Sequence, residues 1–293
     1  MSYYMMLFFS KLFCLLPGSF CDWLGNVLGS LTWQAIPGKR RRMAVDNVAA
    51  CLGVGEAEAE RIAKKSWQRF GPMLFEVLRF PVLKKEFASY VKIEGAEHLR
   101  EGLSLGKGGV IATSHCGNWE LMGGALSAAG FPIVGVAKKQ KEEGADRFIN
   151  EYRRMIGMHI TYKDNVREMF KMMKQGWYIG LLMDQDSSAR DGVLINWFGR
   201  ITNSVQGPAT LARYQDAPLY PGYIHRNEDG THTITIYPRI DVPHTKDKHA
   251  DIKKAMEDVS AVLEQHIRKY PEEWFWLHDR WKSIRENDIP VEK

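Results

Sequence analysis

No stretch of this chain reaches the roughly 20 uninterrupted apolar residues that a membrane-crossing helix wants. The first apolar run, residues 3–16, is stopped by Pro17-Gly18, and the second, residues 20–36, is flanked by Asp22 and Gln34. No basic region precedes the first run and no small-x-small pattern stands out, which argues against a cleaved signal peptide. Cysteine is sparse: Cys14, Cys21, Cys51 and Cys116 have no metal-pair spacing, and a chain of 293 residues needs no disulfide framework. Reduced, cytosol-facing thiols are the default. Internal repeats and low-complexity tracts are missing, which excludes solenoid and fibrous classes. Excess charge of one sign is also scarce, at a formal net +5.

What charge there is sits unevenly. In residues 1–45, Lys11, Lys39, Arg40, Arg41 and Arg42 stand against Asp22 alone. A basic cluster beside an apolar segment suits an anionic membrane surface. Nucleic acid is a poorer partner, because the run is short and the nearby aromatics do not alternate with the basics. Three arrangements of the amino terminus are open. Residues 20–36 cross a membrane once with Lys39–Arg42 on the cytoplasmic side, both segments lie in the interface as an aromatic-rich hairpin, or they form a buried pair in a soluble protein. Membrane attachment is favoured, with its mode open.

Hydrophobic residues make up 45% and charged ones 26%, enough for a sizeable core. Residues 40–52 and 56–80 read as helices, the second with Gly71-Pro72 as a kink. Val91 to Gly95 opens a stretch in which strands at 109–114, 132–137, 158–162 and 177–183 alternate with helices at 119–129, 145–156 and 164–175. That alternation predicts an α/β fold with a mixed, mostly parallel sheet flanked by helices, preceded by an N-terminal helical membrane-attachment segment. Asn203-Ser204 is expected to cap a helix running to about Tyr214, with Pro208 in its first turn. Strands at 219–225 and 231–237 form a hairpin, and 249–269 is a long amphipathic helix. The expected organisation is an attachment segment at 1–38, a helical region at 39–85 and a catalytic α/β domain at 86–293.

Ser114-His115-Cys116-Gly117-Asn118-Trp119-Glu120 follows the apolar run Gly109–Thr113 directly. A strand that ends in a histidine and turns into a helix carrying a carboxylate places a proton acceptor at the sheet's carboxyl edge. His115 is the candidate general base, and Glu120 the candidate partner that holds the imidazole in one tautomer. The plain alternatives are a core histidine and a first-turn glutamate favoured by the helix dipole. Gly117 permits a tight turn, and backbone N–H groups around it are candidates for an oxyanion site. Cys116 as a nucleophile fits poorly, since adjacent residues on an extended segment point to opposite sides. Asp184-Gln185-Asp186 falls at the end of the strand 177–183, on the same edge as His115 if the strands are parallel; a turn cap and a metal site are the alternatives. Arg153-Arg154 suits a phosphate or an acidic carrier protein, and equally a solvated helix face. Arg190 and Arg213 are weaker candidates of the same sort.

The filled motif His115-Cys116-Gly117-Asn118-Trp119-Glu120 resembles the His-x4-acid signature of membrane acyltransferases, most of all the lipid A late acyltransferases, the lauroyl and myristoyl transferases. Three further blocks match in order: Met183-Asp184-Gln185-Asp186 with Trp197-Phe198-Gly199, Gly207-Pro208-Ala209 leading to Leu211-Ala212-Arg213, and Pro271 to Lys282. The resemblance implies catalysis by His115 and Glu120 and a substrate-facing role for Asp184 and Asp186; Asn118, inside the motif, and Arg153, from its own chemistry, join them as candidate substrate-binding residues. It also implies an acyl carrier protein or acyl-coenzyme A donor, and no metal or organic cofactor, because a thioester is already activated. The implied acceptor is a hydroxyl on an acyl chain of a lipid A precursor, at the cytoplasmic face of the inner membrane. Lysophospholipid or other glycolipid acylation, a thioesterase or lipase activity, and a non-catalytic lipid carrier are the rivals. The tryptophans of the terminal block are expected in the core.

Overall fold

The computed structural model describes residues 2–187 and 191–286. The chain opens with two apolar helices, α1 (Ser2–Cys14) and α2 (Gly18–Trp33), separated by Pro17, whose φ of −58° suits the residue before a helix. α3 (Gly38–Leu52) ends on Gly53 at φ 69°, a left-handed stop. α4 (Glu56–Leu78) starts with Glu56 and Glu58 where the helix dipole favours acids, and it continues through Pro72.

α2 crosses α4 at glycines. A Cβ on Gly71 would stand 1.9 Å from the Gly25 carbonyl oxygen, and one on Gly25 would stand 2.5 Å from the Pro72 nitrogen. Only bare backbone fits there, so Gly71-Pro72 marks a helix crossing. The Arg79 guanidinium donates to the carbonyls of Phe13 and Leu16, covering the open end of α1.

Among the described residues no helix is long and apolar enough to cross a membrane. α2 spans 16 residues and buries Cys21, Gly25, Gly29 and Trp33 against the protein, a packed amphipathic helix where the sequence leaves a single crossing as one of three open readings. A fully buried pair is excluded. Tyr4 and Phe8 on one helix, Leu15 in the turn after it, and Trp23 and Leu31 on the other helix are exposed, Leu15 at 82%.

Two single-turn helices, α5 (Phe80–Leu83) and α6 (Phe87–Tyr90), lead to β1 (Val91–Glu94). Then come α7 (Ala96–Ser104), β2 (Gly109–Thr113), α8 (Trp119–Ala128), β3 (Ile133–Ala137), α9 (Glu143–Met155), β4 (His159–Tyr162), α10 (Val166–Lys174) and β5 (Tyr178–Leu182). Except for α7, this is the alternation read from hydrophobic periodicity. Next are β6 (Gly192–Trp197), β7 (Arg200–Val205), α11 (Gly207–Gln215), β8 (Leu219–Arg226), β9 (His232–Ile236), α12 (Lys248–Lys269) and α13 (Lys282–Glu286).

Asn203 and Ser204 do not cap a helix. They lie in β7, which pairs antiparallel with β6 around Phe198 and Gly199. Those two residues have φ of 50° and 72°, the pair of positive values that matches a two-residue turn to the twist of its strands. Pro208 does sit in the first turn of α11.

Seven strands form one sheet in the order β1-β9-β8-β2-β5-β3-β4. Every neighbouring pair is parallel except β8 with β9. Alternation divides the core between two faces. Ile111 and Ile133 pack with Leu121 and Leu126 of α8 and Phe148 of α9. Val110, Ala112, Val134 and Ile179 pack with residues of α10, α11 and α12 on the other side. The mostly parallel α/β sheet flanked by helices is therefore what the chain forms.

Candidate active site

β2 and β5 are parallel neighbours, with Thr113 opposite Leu182. Two residues past each strand the backbone places His115 beside Asp184 at the carboxyl edge of the sheet, where open α/β folds build their sites. The imidazole Nδ1 is 2.9 Å from Asp184 Oδ1. The other carboxylate oxygen accepts the His115 backbone N–H at 3.0 Å and the Trp274 indole N–H at 2.7 Å. A carboxylate only accepts, so Nδ1 carries the proton and Nε2 is the basic nitrogen. Nε2 lies 3.4 Å from the Gln185 amide. The side chain keeps 17% of its surface exposed, enough to meet a substrate, while Asp184 keeps 2%. Trp119 meets the ring edge-on at 4.7 Å.

Burial by itself would lower the imidazole pKa, but the Asp184 carboxylate, helped by Glu120, outweighs it and raises His115 above 6.5. Burial would likewise raise Asp184; the His115 charge and three donated hydrogen bonds bring it instead to about 2.

Glu120 does not hold the imidazole. Its carboxylate accepts Arg153 Nε at 2.7 Å and Nη2 at 2.5 Å, a fork-to-fork pair between α8 and α9. A planar guanidinium satisfies both oxygens of a buried carboxylate, which one ring nitrogen cannot do. Asn118 is 1% exposed and is no open substrate contact. Its Oδ1 caps α8 through the Leu121 N–H at 3.0 Å, and its Nδ2 donates to Glu76 at 2.7 Å. Asp184 is equally committed to protein donors. The Asp186 carboxylate accepts the Ser283 backbone N–H at 2.9 Å and its hydroxyl at 2.8 Å, anchoring α13. Asp186 also lines a polar cavity of about 1310 Å³ with Lys39, Arg42, His278, Lys282 and Arg285, which His115 does not line. Arg213 pairs with Asp251 at 2.8 Å. Arg190 lies outside the described residues.

Gly117, at φ 52°, makes the expected turn, and a Cβ there would stand 2.6 Å from the Ile224 carbonyl oxygen. Its N–H donates to the Glu273 carbonyl at 2.9 Å, so this amide is not available to an oxyanion. Cys116 is 1% exposed and burial pushes its thiol well above 9, the reverse of an activated nucleophile. Among the described residues no group of three or more His, Cys, Asp or Glu is arranged to hold a metal ion.

Two contributors escaped the sequence reading. Trp274, Trp276 and Trp281 are core as expected, at 1%, 0% and 2% exposure. Trp274 also braces Asp184, and the Phe275 N–H bonds the His115 carbonyl at 3.1 Å, so the terminal block clamps the His115 loop. The second is Glu76, buried on α4. It accepts Asn118, His232 at 2.8 Å, Tyr90 at 2.8 Å and Arg226. Burial would raise its carboxyl, but His232, Arg226 and Asn118 hold it at about 2. Arg226 reaches on to Asp22 of α2 at 2.7 Å. A glutamate inside Phe75-Glu76-Val77 was the signal available for it.

His115 opens onto a cleft of about 650 Å³ shared with Trp119, Arg153, Lys138, Phe148 and Ile149. Met6, Phe9 and Leu74 of the amino-terminal helices complete its wall, and the last two belong to the exposed apolar surface. A base in the wall of an apolar cleft is equipped to deprotonate a hydroxyl beside a hydrocarbon chain. The profile of the bacterial lipid A biosynthesis acyltransferase family matches residues 1–283. The chain belongs to that family. It is an acyltransferase. The phosphatidylinositol mannoside acyltransferase of Mycolicibacterium smegmatis is 26% identical over 80% of this chain and 77% of its own. The lipid A biosynthesis lauroyltransferase of Escherichia coli is 23% identical over 91% of this chain and 86% of its own. The solved 1-acyl-sn-glycerophosphate acyltransferase PlsC of Thermotoga maritima covers 83% of this chain and 97% of its own at 15% identity and a TM-score of 0.39, too slight a likeness to bear on function.

Proposed function

We propose that this acyltransferase moves a fatty acyl chain from a thioester, carried by acyl carrier protein or coenzyme A, to a hydroxyl of a glycolipid of the lipid A precursor class. His115 Nε2 takes the hydroxyl proton as the oxygen attacks the thioester carbonyl. Asp184 stabilises the imidazolium that forms. The tetrahedral intermediate collapses, the C–S bond breaks, and the imidazolium returns its proton to the leaving thiolate. Glu120 holds Arg153 against the cleft wall, where its guanidinium faces developing negative charge on the carbonyl oxygen or a phosphate of the acceptor. The observation that carries this reading is an imidazole held through Nδ1 by Asp184, on a histidine that lines an apolar cleft.

The site works at the cytoplasmic face of the inner membrane. Support comes from the exposed Tyr4, Phe8, Leu15, Trp23 and Leu31 of the amino-terminal region, whose α1 also lends Met6 and Phe9 to the cleft, and from Lys39 to Arg42 soon after them in the chain. A mannosylated phosphoinositide is the second acceptor reading, because the relatives of that name are 26–28% identical against 20–23% for the lipid A enzymes. Purified protein given labelled acyl carrier protein thioester and each acceptor in turn should label one class of glycolipid. Release of free fatty acid at one rate with or without acceptor would make it a hydrolase instead.

A further inference from the structure

Gln185 follows Asp184 directly, and the two side chains bracket the imidazole. Asp184 meets Nδ1 at 2.9 Å, and the Gln185 amide nitrogen stands 3.4 Å from Nε2. Since Nδ1 carries the proton, Nε2 presents a lone pair, and only the NH2 end of an amide can face it. The contact is at the outer limit of a hydrogen bond, the mark of a loosely held donor. It is also the only hydrogen bond of this side chain among the described residues. The acids on either side are committed elsewhere, Asp184 to His115 and Trp274, Asp186 to Ser283. Of Asp184-Gln185-Asp186, the middle residue alone turns an uncommitted donor to the reactive nitrogen.

A tetrahedral intermediate needs a donor for its oxyanion, and the nearest others are taken. The Gly117 N–H bonds the Glu273 carbonyl, and all three nitrogens of Arg153 already meet Glu120 or Asn150. Gln185 does not line the apolar cleft, whereas its neighbours Asp186 and Ser187 line the polar cavity, so it stands on the polar side of His115. A thioester whose hydrocarbon enters the cleft has its carbonyl oxygen free to turn to that side.

We propose that Gln185 is a further catalytic residue, whose side-chain N–H moves from Nε2 to the oxyanion when the acceptor hydroxyl enters. The hydroxyl takes the amide's place at Nε2. Its oxygen bonds the thioester carbon as its proton passes to Nε2, and the C=O electron pair shifts to the carbonyl oxygen, which accepts the Gln185 N–H. As the C=O bond re-forms, the C–S bond breaks, Nε2 returns the proton to sulfur, and the amide falls back on the bare nitrogen. The oxyanion forms one carbon away from the oxygen that Nε2 deprotonates, so rotation of the side chain suffices for the shift. Arg153 is then left to a phosphate of the acceptor. This rests on the thioester-to-glycolipid reading above.

The test is steady-state transfer by the purified full chain from labelled acyl carrier protein thioester to whichever glycolipid, lipid A precursor or mannosylated phosphoinositide, the wild-type chain labels. Gln185→Met, Gln185→Glu and His115→Ala are compared with it. Gln185→Met keeps the unbranched length and loses the amide. Its kcat should fall at least about a hundredfold, the size of effect of one oxyanion donor, with KM for both substrates within about twofold. Gln185→Glu should lose as much, because a carboxylate accepts and cannot donate. It should also carry the acid limb of kcat/KM to higher pH. The new charge would sit by an imidazole that already faces Asp184 and Glu120, with His278 the other titratable group near it. A side chain that only packs would move neither that limb nor kcat alone. Gln185→Met with kcat within about threefold of wild type, or with its loss confined to KM, overturns the inference, while an inactive His115→Ala keeps the functional reading. No transfer by the wild-type chain, or transfer undiminished in His115→Ala, overturns that reading and the inference with it. Should Gln185→Met fail to fold, Gln185→Glu, equal in shape to glutamine, decides through kcat, and an unchanged value overturns the proposal.

Discussion

His115 owes its chemistry to partners from two distant parts of the chain, Asp184 after β5 and Trp274 in the terminal block. His115→Ala should lower transfer by at least about a hundredfold, the usual size of a lost acid–base contribution, measured with labelled donor and a saturating acceptor. Asp184→Asn keeps the shape and removes the charge. Because a general base works unprotonated, the proposed role of His115 makes kcat/KM fall as pH drops through the imidazole pKa, which the intact carboxylate holds above 6.5. In Asp184→Asn that acid limb should move to lower pH while the plateau falls; a limb that stays put would separate Asp184 from the base. Cys116→Ser should be mild, with no acyl group trapped on the protein. The position of His115 was legible, because a buried apolar run followed by a turn names the end of a strand. Its partner was not. Glu120 looked the nearer acid by five positions, but a helix start turned it towards Arg153 on α9.

Among the elements, α1 and α2 show most clearly what a pattern can and cannot say. Their apolar content was plain in the sequence, yet the same content fits a span, a buried pair or an interfacial hairpin. The glycine contact between Gly25 and Gly71 rules out the fully buried pair, because it fixes which face of α2 is used up and leaves Trp23 and Leu31 outside. Phe8→Asp and Trp23→Asp should each weaken flotation with anionic vesicles at least about tenfold, from the loss of one buried aromatic apiece, with thermal unfolding in solution unchanged. Equal flotation would detach this face from the membrane. The β6–β7 hairpin was misread as a helix approach for a related reason. A polar Asn203-Ser204 ahead of Gly-Pro looks like a cap, and nothing local reveals that Thr202 and Ser204 are buried in a strand whose neighbour Arg280 is buried too.

At the scale of the whole molecule, buried charge ties the amino-terminal helices to the His115 loop. Asp22 of α2 holds Arg226 of β8, Arg226 holds Glu76 of α4, and Glu76 holds Asn118, the cap of α8 three residues past His115. Glu76 and Asp184 both sit at about 2 in the folded chain against 4.5 and 3.8 ordinarily. Folded pKa values that are depressed stabilise above the ordinary values, and that contribution is lost as pH falls towards 2. Denaturant midpoints should therefore drop steeply between about pH 4.5 and 2. Glu76→Gln should flatten that drop and lower stability at neutral pH by about 3 kcal/mol, the order of loss when one member of a buried pair is removed. An unchanged acid slope would count Glu76 out of the network.

The alternation of strands and helices from β2 to β5, the helices on both faces of the sheet and the place of His115 came from the sequence alone, because each depends on periodicity and turn chemistry within a few neighbouring residues. The company each charge keeps came only with the tertiary structure. Asp184 is 69 positions from His115, Arg153 is 33 from Glu120, and Glu76 is 42 from Asn118. Hydrophobic pattern says which residues leave water. Which polar groups then meet is set by strand register, helix crossing and a contest among partners, and those exist only once the chain has packed.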